Sequence, residues 1–341
     1  MDSEAGSNLI RDDDGVPAEM IRDMIRRSLD SVQPPSDFFH FSAIEYPSEA
    51  PFLPQEHGPK VEIGPPKSYR RQDGLLTGFR DFDRIVGGLR KGEVITVAGL
   101  PSSGSSTFLQ NIVRRSVIGS IDRAVAFFTL DITRTRVVQR LLGAEAKLDW
   151  HSAFGGLLRD AEWTRLTESV QRLWNAKLVV TDNHLVSLDD IYDTCAQRKR
   201  GIGLDLVVLD RVNVLGMDHS GATPPLGETM AEMKAIAEKL EVPVLLTFSA
   251  DPKSADDVSH RLSIRSLPPA VQVYSDVLTL LHRPDQWELQ DQGEASPEIP
   301  EPQKGLEIVE LHVARQTGGP SDTLHLAFNS RWGRFDNVLW D

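Results

Sequence analysis

Val94-Ile-Thr-Val-Ala-Gly99-Leu-Pro-Ser-Ser-Gly104-Ser105-Ser106-Thr107 is the stretch that decides how this chain folds. The apolar run Val94 to Ala98 reads as a buried strand, and Thr107 to Val117 is compatible with a helix. A lone G-x-x-x-x-G-S-S is more often an ordinary glycine turn, but between a strand and a helix it has the setting of a phosphate-binding loop, G-x-x-x-x-G-K-[ST]. In that loop, backbone N–H groups cradle phosphate oxygens, a lysine ammonium meets the β- and γ-phosphates, and the hydroxyl residue holds Mg²⁺. Here the lysine position is Ser105. A serine hydroxyl is neutral and too short to follow charge onto a leaving group, so the cradle lacks its cation. Its expected members are Gly99, Ser103, Gly104, Ser105, Ser106 and Thr107. ATP and Mg²⁺ are the expected ligands, with binding weakened or lost.

Composition narrows the classes. The chain has 341 residues, 40% of them hydrophobic, enough for one domain of about 250 residues plus an appendage. The one cysteine, Cys195, excludes an internal disulfide and suits a reducing cytoplasm; it reads as a packed helix residue. The N-terminus MDSEAGSNLIRDDDG is acidic where a secretory signal is basic, and no apolar run approaches the ~20 residues of a membrane span. A cytoplasmic protein with no membrane partner is expected. With 50 acidic against 37 basic residues the net charge is −13, so any contact with DNA has to be local.

Residues 1 to 70 are rich in Pro, Ser and acidic groups and read as a largely disordered extension. Within it, residues 17 to 31 place Met20, Ile21, Met24, Ile25 and Leu29 at helical spacing. A helix this short is marginal alone and is expected to dock on its own domain or on a neighbouring copy. From residue 71 to 341, short apolar strands (Val94–Ala98, Ala124–Leu130, Leu178–Thr181, Leu206–Leu209, Val244–Phe248, Val277–Leu281) alternate with helical patterns at Asp160–Trp174, Ser187–Arg198 and Gly227–Leu240. This predicts an α/β domain with a mainly parallel sheet flanked by helices. Glu307–Arg315 and Asp322–Phe328, either side of Gln-Thr-Gly-Gly-Pro-Ser, predict a C-terminal β-hairpin at the sheet edge. The acidic stretch from Pro284 to Gln303 reads as a surface loop.

Thr77-Gly-Phe-Arg-Asp-Phe-Asp83, Gly87-Gly-Leu, the loop at Gly99, Leu206 to Asp210, Glu241-Val-Pro-Val and Trp332-Gly-Arg-Phe-Asp-Asn337 follow one another as in the C-terminal motor domain of DnaB-type replicative helicases, a RecA-like P-loop NTPase fold, and over about 270 residues the chain resembles that family. The family's helical N-terminal collar has no evident counterpart in residues 1 to 70. The helix at residues 17 to 31 resembles the linker helix that packs on the adjacent subunit.

The resemblance implies roles for individual positions. Ser106 takes the Mg²⁺-holding hydroxyl and Asp210 the Walker-B carboxylate. The glutamate that polarises water falls on Asp131, one methylene shorter, and the sensor glutamine falls on Ala250. Of the lysine and arginine that reach a neighbour's nucleotide, Arg315 keeps one cation and Thr317 replaces the finger. The DNA-contacting loop becomes Arg265 to Asp276, which Pro268 and Pro269 are expected to stiffen. A finger arginine is worth about 10³ to 10⁵ in turnover. Its loss together with the lysine predicts a non-hydrolysing assembly or regulatory module that forms a homo-oligomeric ring or filament, or joins DNA or a replication-type partner. The competing expectation is an active ATP-dependent helicase or translocase in which Arg315, Lys91 or another cation replaces the lysine; His219 and His282 offer no spacing for catalysis.

Overall fold

A computed structural model of the protein describes residues 73–118, 123–149, 158–182, 186–215, 225–256, 260–284 and 306–338. The helix expected at residues 17 to 31, His219 and nearly all of the acidic loop lie outside them.

One nine-stranded sheet organises the domain, in the order β3-β2-β4-β5-β1-β6-β7-β8-β9. Six strands run parallel: β1 (Val94–Gly99), β2 (Val125–Thr129), β3 (Leu178–Thr181), β4 (Leu206–Asp210), β5 (Val244–Ser249) and β6 (Val277–His282). The long β7 (Leu306–Gln316), β8 (Asp322–Asn329) and β9 (Arg334–Asn337) extend it antiparallel. The expected hairpin is β7–β8, but the edge strand is β9, too short for an alternation pattern to reveal.

The helices are α1 (Arg80–Val86), α2 (Ser105–Ile118), α3 (Arg134–Ala146), α4 (Asp160–Trp174), α5 (Leu188–Gly201), α6 (Leu226–Lys239) and α7 (Pro269–Tyr274). The central strands are apolar at nearly every position because both faces are covered. Ile95, Val97, Phe127 and Val208 point to a core shared with α1 and α2, while Val94, Ala98, Phe128 and Val207 point to one shared with α5 and α6.

Segment 265 to 276 is not a loop. It forms a 3₁₀ turn (Ile264–Ser266) and then α7, with Pro268 at the N-cap, Pro269 at the first helical position and Val271 buried. Proline there needs no N–H donor and its fixed φ suits a helix start, so the two prolines initiate structure. Asp276, just beyond α7, ties down the strand starts: its carboxylate accepts from Val94 N at 2.8 Å and from Lys234 Nζ at 2.7 Å. The basic run Arg198-Lys-Arg200 ends α5, and Lys199 Nζ donates to the carbonyl of Leu240, the C-cap of the neighbouring α6, placing a cation at that helix's C-terminus.

Candidate nucleotide site

The phosphate-binding loop is built from both sides. β1 delivers Gly99 at its carboxyl end, and the chain turns through Ser102 (φ 65°) and Gly104 (φ 95°) into α2. A Cβ on Gly99 would lie 2.2 Å from Ser103 Oγ, so the cradle closes only around glycine. Ser103 is 3% exposed, and its hydroxyl has no hydrogen-bond partner among the described residues. Ser105, Ser106 and Thr107 form the first turn of α2, whose N–H groups are the anion-binding end of the helix.

The C-terminal segment has a mechanical purpose here: it clamps this loop from below. Phe335 of β9 is fully buried, stacks on Phe328 (centroids 4.4 Å), meets Phe108 of α2 edge-on (5.5 Å), and sets its Cζ 3.3 Å from where a Cβ on Gly104 would be. Asn111 of α2 accepts from Phe335 N and donates to Gly333 O, pinning helix to strand. Asn337 accepts from Arg80 N and donates to Gly78 O. Asp83 of α1 accepts from Thr77 N, Thr77 Oγ1 and Gly78 N; burial pushes its carboxyl up while those donors pull it back.

At the carboxyl end of the sheet, Asp210 closes β4 at 1% exposure. Its Oδ1 accepts from Ser106 Oγ (2.7 Å) and Thr247 Oγ1 (2.6 Å), and Thr247 Oγ1 in turn accepts from Arg211 N (2.6 Å). Burial raises the Asp210 carboxyl above its ordinary value, and the two hydroxyls together with the charges of Arg211 and Arg140 oppose this. A serine hydroxyl beside one carboxylate, at the mouth of a phosphate cradle, fits Mg²⁺, which takes one or two carboxylates and completes its shell with water and phosphate. Ser106 and Asp210 are the residues that would hold it.

The structure brings Asp131, just beyond β2, to the same end of the sheet, but already paired: Arg211 Nη1 stands 2.5 Å from Asp131 Oδ2. Arg211 has the left-handed backbone (φ 67°) immediately after Asp210. Arg140 of α3 lies within electrostatic range of both Asp131 and Asp210, and burial lowers its own pKa. Residue order did not flag these arginines or Thr247. The available signal was an arginine adjoining the strand-end aspartate, Asp210.

Arg315 and Lys91 are not brought to the loop. Arg315 of β7 pairs with Leu278, three rungs or about 10 Å along β6 from the Leu281 that faces Gly99, and donates to Gln272 O at 2.6 Å. Lys91 precedes β1. Both stand at the amino ends of the parallel strands, so neither replaces the lysine within its own subunit. Thr317 shares that end, where its N–H donates to Asp276 O. Ala250 adjoins the cradle, donating its N–H to Gly99 O at 2.9 Å.

The sequence profile of the DnaB-like helicase C terminal domain matches residues 74–337. The chain belongs to that family. The replicative DNA helicase DnaB of Geobacillus stearothermophilus is 27% identical over 270 residues, covering 78% of this chain and 57% of that protein. The replicative DNA helicase DnaB of Leifsonia xyli subsp. xyli is 27% identical over 295 residues, covering 84% and 62%. The chain therefore spans about three fifths of these relatives. Among solved structures, a DnaB-like replicative helicase described with its primase interactions superposes with a TM-score of 0.69 at 20% identity, covering 79% of this chain and 63% of that one. A second solved structure, of an isolated ATPase domain, superposes with a TM-score of 0.68 at 20% identity, covering 79% and 93%. These likenesses establish the RecA-like fold. No described helix is long and apolar enough to cross a membrane.

Proposed function

We propose that this DnaB-family domain is a non-hydrolysing assembly or regulatory module that associates with copies of itself, as a ring or filament, through RecA-type contacts. The observation that carries this reading is missing charge: Ser105 stands where the transferring phosphoryl group needs a lysine, and Thr317 where a neighbour's nucleotide needs a finger arginine. The aspartate at the base position, Asp131, is also a methylene short of the glutamate's reach. When bound, Mg²⁺ would neutralise developing phosphate charge. Ser106 and Asp210 would hold it, but there is no lysine to follow the charge and Thr317 offers no finger. DNA or a replication-type protein is the expected further partner, by analogy with the named relatives.

Steady-state ATP hydrolysis with and without single-stranded DNA, beside Asp210→Asn, tests this. Turnover indistinguishable from the variant is expected. Asp210-dependent turnover of about 1 s⁻¹ or more, in the ordinary enzyme range, would overturn it in favour of an active ATP-dependent helicase or translocase. That second reading has one observation in its favour, the intact Ser106–Asp210–Thr247 chain.

A further inference from the structure

We propose that Arg211 is the phosphate-binding cation of this site, standing in for the absent lysine by exchanging Asp131 for the γ-phosphate of a bound nucleoside triphosphate. The inference rests on the reading above only in taking this loop as a nucleotide site, and not on whether the nucleotide is hydrolysed. Four observations carry it. A run of three hydrogen bonds, Ser106 Oγ to Asp210 Oδ1 to Thr247 Oγ1 to Arg211 N, fixes the Arg211 backbone relative to the first turn of α2. The guanidinium then lies within a side chain's reach of the Mg²⁺-holding pair, at the carboxyl end of the adjacent strands β2 and β4, where Thr129 is level with Asp210. The pair it forms is partly open to water, with the side chains of Arg211 and Asp131 31% and 43% exposed. Water screens such a half-open pair and holds it weakly, so a multiply charged phosphate can displace the carboxylate. Finally, the buried, unpartnered Ser103 hydroxyl and the glycine-only turn at Gly99 mark a cradle that still presents donors to an anion.

Elimination strengthens the assignment. Arg315 and Lys91 are at the wrong end of the sheet. Arg283, which reaches Ser102 O at 3.4 Å, is committed to Glu307 through two nitrogens and lies over the Phe328 ring. Arg140 lies within electrostatic range of the same carboxylates and supports the positive field, but Arg211 alone adjoins Asp210 in the chain. Guanidinium also matches phosphate geometry through two parallel N–H donors, which a serine at position 105 cannot do.

The test is calorimetric binding of a non-hydrolysable ATP analogue and of ADP, each with Mg²⁺, to the full chain and to Arg211→Ala, Arg211→Lys and Asp131→Asn. Loss of one charge-assisted contact corresponds to roughly 10- to 100-fold in affinity. Arg211→Ala is expected to lose that much for the triphosphate and less than about 3-fold for ADP, with Arg211→Lys intermediate. Asp131→Asn, which frees the guanidinium, is expected to tighten triphosphate binding several-fold. Equal losses for both nucleotides, unchanged triphosphate binding in Arg211→Ala, or no binding by the wild type at millimolar nucleotide would each overturn the assignment. The last outcome leaves the non-hydrolysing module standing, whereas measurable turnover with the expected Arg211 pattern removes the module and keeps the cation.

Discussion

Phe335→Ala tests whether the C-terminal segment clamps the phosphate-binding loop. The ring is fully buried, stacked on Phe328, edge-on to Phe108, and packed against the Gly104 turn, where an added Cβ would stand 3.3 Å from its Cζ, so no neighbour on those three sides can collapse into its space without moving the loop or β8. Truncating such a phenylalanine costs about 3 to 5 kcal/mol, the upper part of the range applying where the cavity stays open. With a urea dependence of about 3 kcal/mol per molar, a loss of about 4 kcal/mol lowers the midpoint by about 1.3 M. Urea unfolding followed by tryptophan fluorescence measures it, with Phe335→Leu (expected loss about 1.5 kcal/mol or less) and Val273→Ala, 66% exposed and expected within about 0.5 kcal/mol, as references. A Phe335→Ala midpoint matching that of Val273→Ala would refute the clamp.

Ser105→Lys is expected to raise triphosphate affinity at least about 10-fold while leaving turnover negligible, because Thr317 still offers no finger; hydrolysis near 1 s⁻¹ in that single variant would show that the lysine was the one missing part. Lys147 closes α3 in the left-handed region (φ 52°), so Lys147→Gly should raise the melting temperature by about 2 °C, and an unchanged or lower value in calorimetry counts against it. Burial pushes the Cys195 thiol up to about 12, and the residue is wholly enclosed; thiol reagents should label it only at the rate of unfolding. His282, His312 and His325 are all lowered mainly by burial. Their folded values lie below the unfolded value of about 6.5, so the stability they contribute is complete above that pH and is lost as pH falls below it. The melting temperature should drop between pH 7 and 5, and the drop should shrink in His312→Asn; identical slopes would sink the argument.

The parallel half of the sheet was legible because each buried strand is a short apolar run, and Leu178–Thr181 and Asp160–Trp174 have the boundaries their patterns predict. What escaped was short or tertiary in origin. α1 has seven residues, too few for periodicity to register, and β9 owes its existence to pairing with β8. α7 hid behind two prolines that read as stiffening a loop but occupy a helix start. At the site, the hydroxyl Ser106 was legible from the loop motif and the carboxylate Asp210 from the family resemblance, and the structure places the two in contact. Arg211 was not legible, since a cation whose partner lies 80 residues away leaves no spacing in the chain.

On the proposed reading, loss of catalysis and retention of the fold are physically separable in this domain, because they depend on different residues. Asp131 and Thr317 sit exposed on segments following strands, and Ser105 is only partly buried; substitutions at such positions usually change stability by no more than about 0.5 kcal/mol. Asn111, Phe335 and Asp83 each hold buried groups whose loss costs several times that. A chain kept only for its shape and surfaces can therefore shed the first set freely and must retain the second. Thr317→Arg combined with Ser105→Lys should then leave the unfolding midpoint where it was. If restoring those charges instead destabilises the domain by several kcal/mol, the site has been repacked around their absence, and catalysis and fold are coupled after all.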